Sequence, residues 1–193
     1  PFIVLLVSGG HTELIKVGEM GEMERLGKSY DDAAGEAFDK VGRLLGLSYP
    51  GGPEIEKAAK NGNSFKFDLP KCKISDKKGG YLKYDFSFSG LKTAVLRLIE
   101  KINKNDKPLP IEDIAASFER VVAEVLVERS INCVVDNSLL DLVVVGGVAA
   151  NNTLRKMMIN AAAEKSIRVH LAPLFLCTDN AAMIGAAALS RLN

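Results

Sequence analysis

Two short apolar runs, far apart in the chain, each end in a pair of glycines. Ile3-Val-Leu-Leu-Val7 runs into Ser8-Gly9-Gly10-His11-Thr12, and Leu142-Val-Val-Val145 runs into Gly146-Gly147-Val-Ala-Ala-Asn151. A β-branched run of this length reads as a buried strand. Glycines at its end let the backbone come closer to a neighbour or ligand than a Cβ would allow. Two such edges predict two jaws closing on one phosphate-bearing ligand.

The rest of the pattern says what carries those edges. The first strand is followed by Glu13–Val17, a turn at Gly18 and Gly21, and Met23–Ser29, which together read as a three-strand meander. Asp31 or Asp32 is placed to N-cap a helix whose apolar positions run from Ala33 to Leu45. Tyr49-Pro-Gly-Gly-Pro53 hands over to a second helix, with Pro53 in its first turn. Residues 65–90 read as a small hairpin insertion. Helices then follow at Leu91 to Lys101 and Ile111 to Asn137. Strand Leu142–Val145, helix Thr153–Lys165, strand Ile167–Leu171 and helix Asp179–Leu192 complete the order. The order βββα…βαβα is α/β, with right-handed crossovers feeding a meander, as in one half of a ribonuclease-H-like fold. Ligands of such sheets sit at the carboxyl ends of the strands, where both glycine pairs lie.

Composition narrows the function classes. The formal charge of +1 argues against a general nucleic-acid coat. Three cysteines, Cys72, Cys133 and Cys177, have no C-x-x-C spacing, which points to a reducing compartment and away from a thiolate zinc site. No apolar run reaches the ~18 residues of a membrane span, and no secretory leader is visible. The chain opens on Pro1 and goes straight into a strand, so a fragment of a longer protein is expected.

Several residue groups could carry chemistry, and each has a plainer reading. Ser8-Gly-Gly-His-Thr12 offers backbone N–H groups and two hydroxyls to phosphate oxygens, or is a tight turn. Asn151 could hold a nucleoside, or only cap the helix after it. Asp39 and Glu36 can share a helix face aimed at a cleft, while Glu36 and Lys40 can form an i,i+4 pair. Asp179 is a first-turn acid or a metal ligand. His11 and His170 give no pair at metal spacing. The segment from Lys71 to Lys92 holds six lysines interleaved with Tyr81, Tyr84, Phe86 and Phe88, which suits RNA or a solvated hairpin with its own aromatic core.

Taken together, Leu6-Val-Ser-Gly-Gly-His-Thr-Glu-Leu14, Asp31-Asp-Ala-Ala-Gly-Glu-Ala-Phe-Asp-Lys40, Tyr49-Pro-Gly-Gly-Pro53, Asp85-Phe-Ser-Phe-Ser-Gly-Leu-Lys-Thr93, Gly146-Gly-Val-Ala-Ala-Asn151 and Cys177-Thr-Asp-Asn180 resemble one family along essentially the whole chain. It is the TsaD family of tRNA N6-adenosine threonylcarbamoyltransferases, formerly described as O-sialoglycoprotein endopeptidases. The resemblance implies an ASKHA fold, that of actin, Hsp70 and sugar kinases, over residues 1–193. It implies transfer of threonylcarbamoyl from threonylcarbamoyl-AMP to N6 of adenosine 37 in tRNAs that read codons beginning with A. Leu6, Val7, Ser8, Gly9 and Gly10 would line the phosphate and acyl side. Asp39, Gly52 and Asn151 would hold the nucleoside, with Glu56 near the ribose. Asp179 would be a ligand of one divalent metal, Fe2+ or else Zn2+. TsaB-like and TsaE-like proteins would be partners in a bacterium, and the location would be cytoplasmic, with no membrane.

No catalytic nucleophile is assigned, because a mixed carbamic–phosphoric anhydride is already activated. The resemblance also implies an N-terminal lobe, a His-x-x-x-His metal pair upstream of the first strand and an extreme C-terminal tail, all expected to lie outside these 193 residues. The chain alone is therefore expected to hold the metal poorly and to be inactive. Two other readings stand beside this one: a kinase- or ATPase-like nucleotide binder of the same fold, and a non-catalytic partner subunit. A metalloprotease is the weakest reading, since no zincin helix is present.

Overall fold

A computed structural model describes residues 1–76, 79–105 and 108–189. Its strands are β1 (Phe2–Val7), β2 (Thr12–Val17), β3 (Met23–Lys28), β4 (Asp141–Val145) and β5 (Arg168–Leu171). They form a single sheet in the order β3-β2-β1-β4-β5. β1, β2 and β3 pair antiparallel, and β4 and β5 extend the sheet parallel to β1. The meander and the parallel βαβα extension are thus as the sequence predicts. The register Leu6↔Val145 sets the ends of β1 and β4 side by side, so both glycine pairs emerge at one edge of the sheet.

The helices are α1 (Ala34–Leu44), α2 (Gly51–Ala59), α3 (Ser89–Asn103), α4 (Ile111–Asp136), α5 (Asn152–Glu164) and α6 (Ala181–Leu189). Alternation along β1 sends Ile3, Leu5 and Val7 into the core with Leu142 and Val144 of β4. That face packs on α4, which is buried on most of its circumference, as expected of a central helix. The opposite face, with Val4, Leu6, Ile15, Val143 and Val145, is only half-buried.

Several boundaries and caps differ from expectation, for tertiary reasons. Neither Asp31 nor Asp32 caps α1. The Ala34 N–H donates to Thr12 Oγ1 (2.8 Å) and the Gly35 N–H to the Ser8 carbonyl (3.1 Å), so the β1–β2 turn does the capping. Asp32 pairs with Lys40 instead. Asp31 caps α3, far along the chain: its Oδ1 accepts the Phe88 N–H at 2.8 Å and the Ser89 N–H at 3.3 Å. Asp31→Ala is expected to cost about 1–2 kcal/mol of stability by urea unfolding, with faster hydrogen exchange confined to the first turn of α3.

Among the described residues of 65–88 there is no named strand or helix, only the bridge Ser75↔Tyr81 and the bridge Ser29↔Phe86. Phe86 and Phe88 do not form a private hairpin core. Both are buried in the main core, and the guanidinium of Arg129 lies 5.3 Å from the Phe86 ring. The expected helix to Leu192 is described as far as Leu189, and residues 190–193 lie outside the described residues. Lys77 and Lys78 of the expected basic segment also lie outside them. No helix among the described residues is long and apolar enough to cross a membrane. Cys72, Cys133 and Cys177 are all free thiols.

Candidate functional site

A cleft of about 250 Å³ opens at the carboxyl ends of β1 and β4. Gly9 forms one wall, Gly35, Phe38 and Asp39 of α1 a second, and Pro50 to Glu56 around the start of α2 a third. Gly147, Val148 and Ala150 of the 3-10 turn after β4 close it, together with Asn151 and Thr178. The lining is mostly apolar, with Asp39, Glu56, Asn151 and Thr178 as its polar side chains. A few convergent polar groups in an apolar hollow is the usual form of a small-molecule site. No lysine or arginine lines it, and two carboxylates do. That charge pattern suits a ligand rich in hydroxyl and amino donors at that end.

Each polar side chain is held by the element ends around it. Asp39 Oδ1 accepts the Gly51 N–H at 2.7 Å and so caps α2. Gly51 has no room for a side chain there, since a Cβ would lie 2.5 Å from the Phe38 carbonyl oxygen. Asn151 caps α5 through Oδ1, which accepts the Leu154 N–H at 2.9 Å. Its Nδ2 donates to Glu119 Oε1 on α4 at 2.7 Å. Glu56 Oε1 accepts both the backbone N–H and the side-chain amide of Asn152. Arg155 ties the 3-10 turn to the strand beside it, donating to the carbonyls of Ala149 and Ala172 at 3.0 Å each.

The structure brings five of the residues singled out in the sequence, Gly9, Asp39, Gly52, Glu56 and Asn151, around this one cleft. The capping and binding readings of Asn151 are compatible, because capping uses one acceptor position and leaves the amide at the cleft wall. Other expectations change. Val7 points into the core, and Leu6 sits on the half-buried sheet face. Neither Ser8 nor Gly10 lines the cleft. The N–H groups of Gly10 and His11 donate to Ser8 Oγ (3.3 and 3.1 Å), so the turn satisfies part of the nest with its own hydroxyl. Gly10 instead borders a smaller hollow with Glu36, so Glu36 and Asp39 do not share one cavity. Glu36 pairs with Lys40 at 3.0 Å, as the plainer reading had it.

Asp179 is exposed in the loop before α6 rather than in its first turn. Asn180 caps that helix, with Oδ1 accepting the Met183 N–H at 3.1 Å. Thr178 reaches the cleft and Asp179 does not line it. Among the described residues no three His, Cys, Asp or Glu side chains converge as a metal site. The donor set of these residues therefore does not by itself fit a bound metal, and Asp179 offers a single carboxylate.

Sequence reasoning passed over Glu119. It is 5% exposed and accepts hydrogen bonds on both oxygens, from Asn151 and, at 2.7 Å, from Thr153 Oγ1. Burial pushes its carboxyl above the ordinary range, against the pull of those two bonds. Its sequence signal is slight: Glu119 is one of several acids on α4, with Glu112, Asp113, Glu124 and Glu128, and only its neighbours Phe118 and Val121 mark it as facing the core.

Residues 1–186 match the protein family described as TsaD, tRNA N6-adenosine threonylcarbamoyltransferase. The chain belongs to the TsaD family. It is 78% identical over 191 residues to the tRNA N6-adenosine threonylcarbamoyltransferase of Prochlorococcus marinus strain MIT 9215, covering 99% of this chain and 54% of that protein. It is 67% identical to the enzyme of the same name from strain NATL2A, again over 54% of that protein's length. The chain thus spans about half the length of the curated TsaD relatives it matches. Among solved structures it is similar to full-length HypF, crystallised in a phosphate- and nucleotide-bound form, with a TM-score of 0.70 at 13% identity, covering 98% of this chain and 32% of that one. HypF of T. kodakarensis matches with a TM-score of 0.56 at 21% identity, over 86% of this chain and 20% of that one. These likenesses speak to the fold, which is the ASKHA-like one that the TsaD resemblance implies.

Proposed function

We propose that this chain supplies the adenylate-binding cleft of a tRNA N6-adenosine threonylcarbamoyltransferase. The observation that carries the reading is the convergence of Asp39, Gly52, Glu56 and Asn151 with Gly9 in one cleft, in a chain of this family. The donor is threonylcarbamoyl-AMP and the acceptor is N6 of adenosine 37 in tRNAs that read codons beginning with A. The carboxylates of Asp39 and Glu56 accept from the ribose hydroxyls, and Asn151 hydrogen-bonds the nucleoside. The Gly9-Gly10 turn faces the phosphate and acyl end, with Leu6, Val7 and Ser8 supporting it through the backbone.

In the proposed reaction the N6 amine attacks the carbamoyl carbon of the mixed anhydride. The new N–C bond forms, the C–O bond to phosphorus breaks, AMP leaves with the electron pair, and N6 gives up one proton. The enzyme's task is to hold the two reactants in line and exclude water, with no covalent intermediate on the protein. A divalent metal, Fe2+ or Zn2+, belongs to the proposal, with Asp179 as one ligand and the others from outside the described residues. TsaB-like and TsaE-like partners and a cytoplasmic location complete the reading; the free thiols support a reducing compartment. The activity is proposed for a polypeptide of the relatives' full length, and the 193-residue chain alone is expected to be inactive.

The test uses the full-length polypeptide with its partner proteins. AMP is expected to bind in calorimetry, and label from radioactive threonine is expected in tRNA when the threonylcarbamoyl-adenylate is supplied. Transfer of the ATP γ-phosphate to a sugar or protein, with no label in tRNA, makes the chain a kinase-like enzyme. Partner binding without nucleotide binding makes it a non-catalytic subunit.

A further inference from the structure

We propose that Glu119 is a positioning residue for the cleft, which holds the Asn151 carboxamide in one orientation. The inference rests on the adenylate reading of the cleft, and its chemistry is as follows. A carboxamide has a donor end and an acceptor end, and nothing in its shape prefers one flip to the other. Two neighbours decide it here. The Leu154 N–H can only donate, so it takes Oδ1. Both oxygens of Glu119 act as acceptors, so Oε1 takes an Nδ2 hydrogen. With the amide turned over, Oδ1 would face a carboxylate and Nδ2 would face an N–H. Both contacts would then be repulsive, in a place that is more than nine-tenths buried.

The second oxygen of Glu119 is not spare. Thr153 Oγ1 donates to it at 2.7 Å, which fixes the rotation of the carboxylate itself. Glu119 also stands on α4, the most buried helix, beside Phe118, whose ring meets that of the cleft residue Phe38 edge-on at 5.2 Å. A polar contact on a rigid, packed element transmits little slack. Among the described residues no lysine or arginine pairs with Glu119, so the carboxylate stays buried on two neutral donors and the cost of its burial. A residue serving only to fill this space would be better apolar. What the carboxylate adds is the polarity of Asn151: one Nδ2 hydrogen and one Oδ1 lone pair remain uncommitted, in fixed directions, on a residue that lines the cleft. A nucleoside meets that pattern already set.

Two substitutions separate this role from packing. In Glu119→Gln the amide oxygen still accepts from Asn151, and its NH2 donates to Thr153 Oγ1, whose hydroxyl turns round. Glu119→Ala removes both bonds. Asn151→Ser keeps a capping oxygen for α5 and deletes the carboxamide. In the full-length protein, Glu119→Ala is expected to raise the Kd for AMP about tenfold, the worth of one charge-assisted hydrogen bond. Glu119→Gln is expected to restore it to within about twofold. On the Asn151→Ser background, Glu119→Ala is expected to change the Kd by less than about twofold. An equal loss on both backgrounds would overturn the proposal, because Glu119 would then act on the cleft without Asn151.

A second arm needs no nucleotide. In protein selectively labelled at asparagine, one Asn151 Nδ2 proton is expected to be shifted downfield and slow to exchange in the wild type and in Glu119→Gln, but not in Glu119→Ala. Absence of that proton in the wild type sinks the positioning role. Its presence, in a protein that binds no AMP, leaves the positioning role standing and removes the adenylate reading instead.

Discussion

Gly146→Ala is expected to lower the stability of the fold by about 3–5 kcal/mol, and Gly147→Ala by less than about 0.5. The two glycines are adjacent and identical, yet their surroundings differ completely. Gly146 has φ +102°, in the region that side chains with L chirality rarely adopt, and a Cβ there would lie 2.3 Å from the Val7 carbonyl oxygen. Val7 is a buried residue at the end of the central strand β1, paired with Thr12 of β2, so its backbone is held in place. The new methyl group therefore meets backbone, and both the dihedral strain of about 1–3 kcal/mol and an overpacking cost of about 1–3 kcal/mol apply. A Cβ on Gly147 finds no atom within 4 Å, and its backbone carries no positive φ. Urea unfolding of the two variants reads the difference directly as a shift in midpoint at constant slope. Equal midpoints for the two variants would show that the β1–β4 junction is not as close as described.

That contrast marks where sequence reading stops. The glycine pair after β4 was visible as a pair, and its strand was placed within one residue. Which member meets the neighbouring strand and which faces the cleft depends on the parallel register Leu6↔Val145, which no local pattern encodes. The same holds for caps. Sequence rules look a few residues ahead and so offer Asp31 or Asp32 as a cap for the helix that follows. The Asp31 partners Phe88 and Ser89 are reached only after the chain has folded back. The alternation of Phe86 and Phe88 reads as part of a hairpin with its own aromatic core, but no strand forms there and both rings are buried in the main core. In the cleft, the family motifs named Asp39, Gly52, Glu56 and Asn151 without saying what supports them. Glu119 carries no motif, and its meaning appears only when α4 lies against the start of α5. Val7 and Leu6 show the converse. They belong to a cleft-forming motif, but strand alternation turns one side chain into the core and the other onto the far sheet face.

Gly52→Leu is expected to abolish ligand binding without unfolding the protein, the reverse of Gly146→Ala. Gly52 lies in the first turn of α2, where its φ is not positive and a Cβ would meet nothing within 4 Å. Exchanging glycine for leucine inside a helix is worth up to about 1 kcal/mol in favour of the helix, so the melting temperature is expected to hold or rise. The open space around that Cβ is the cleft itself, which Gly52 lines between Asp39 and Glu56. In a volume of about 250 Å³, an isobutyl group competes directly with the nucleoside for the wall that the two carboxylates flank. Overpacking of this size costs about 1–3 kcal/mol in a core. Here it falls on the complex alone, and the Kd for AMP is expected to rise about 10- to 100-fold. Gly52→Ala places one methyl group at the same wall and is expected to give a smaller loss in the same direction. The measurement is a pair of curves for each variant, thermal unfolding and AMP calorimetry. A Gly52→Leu protein that binds AMP as the wild type does would move the nucleoside out of this cleft. A variant that melts early would mean instead that the space beside Gly52 is already filled in the folded chain.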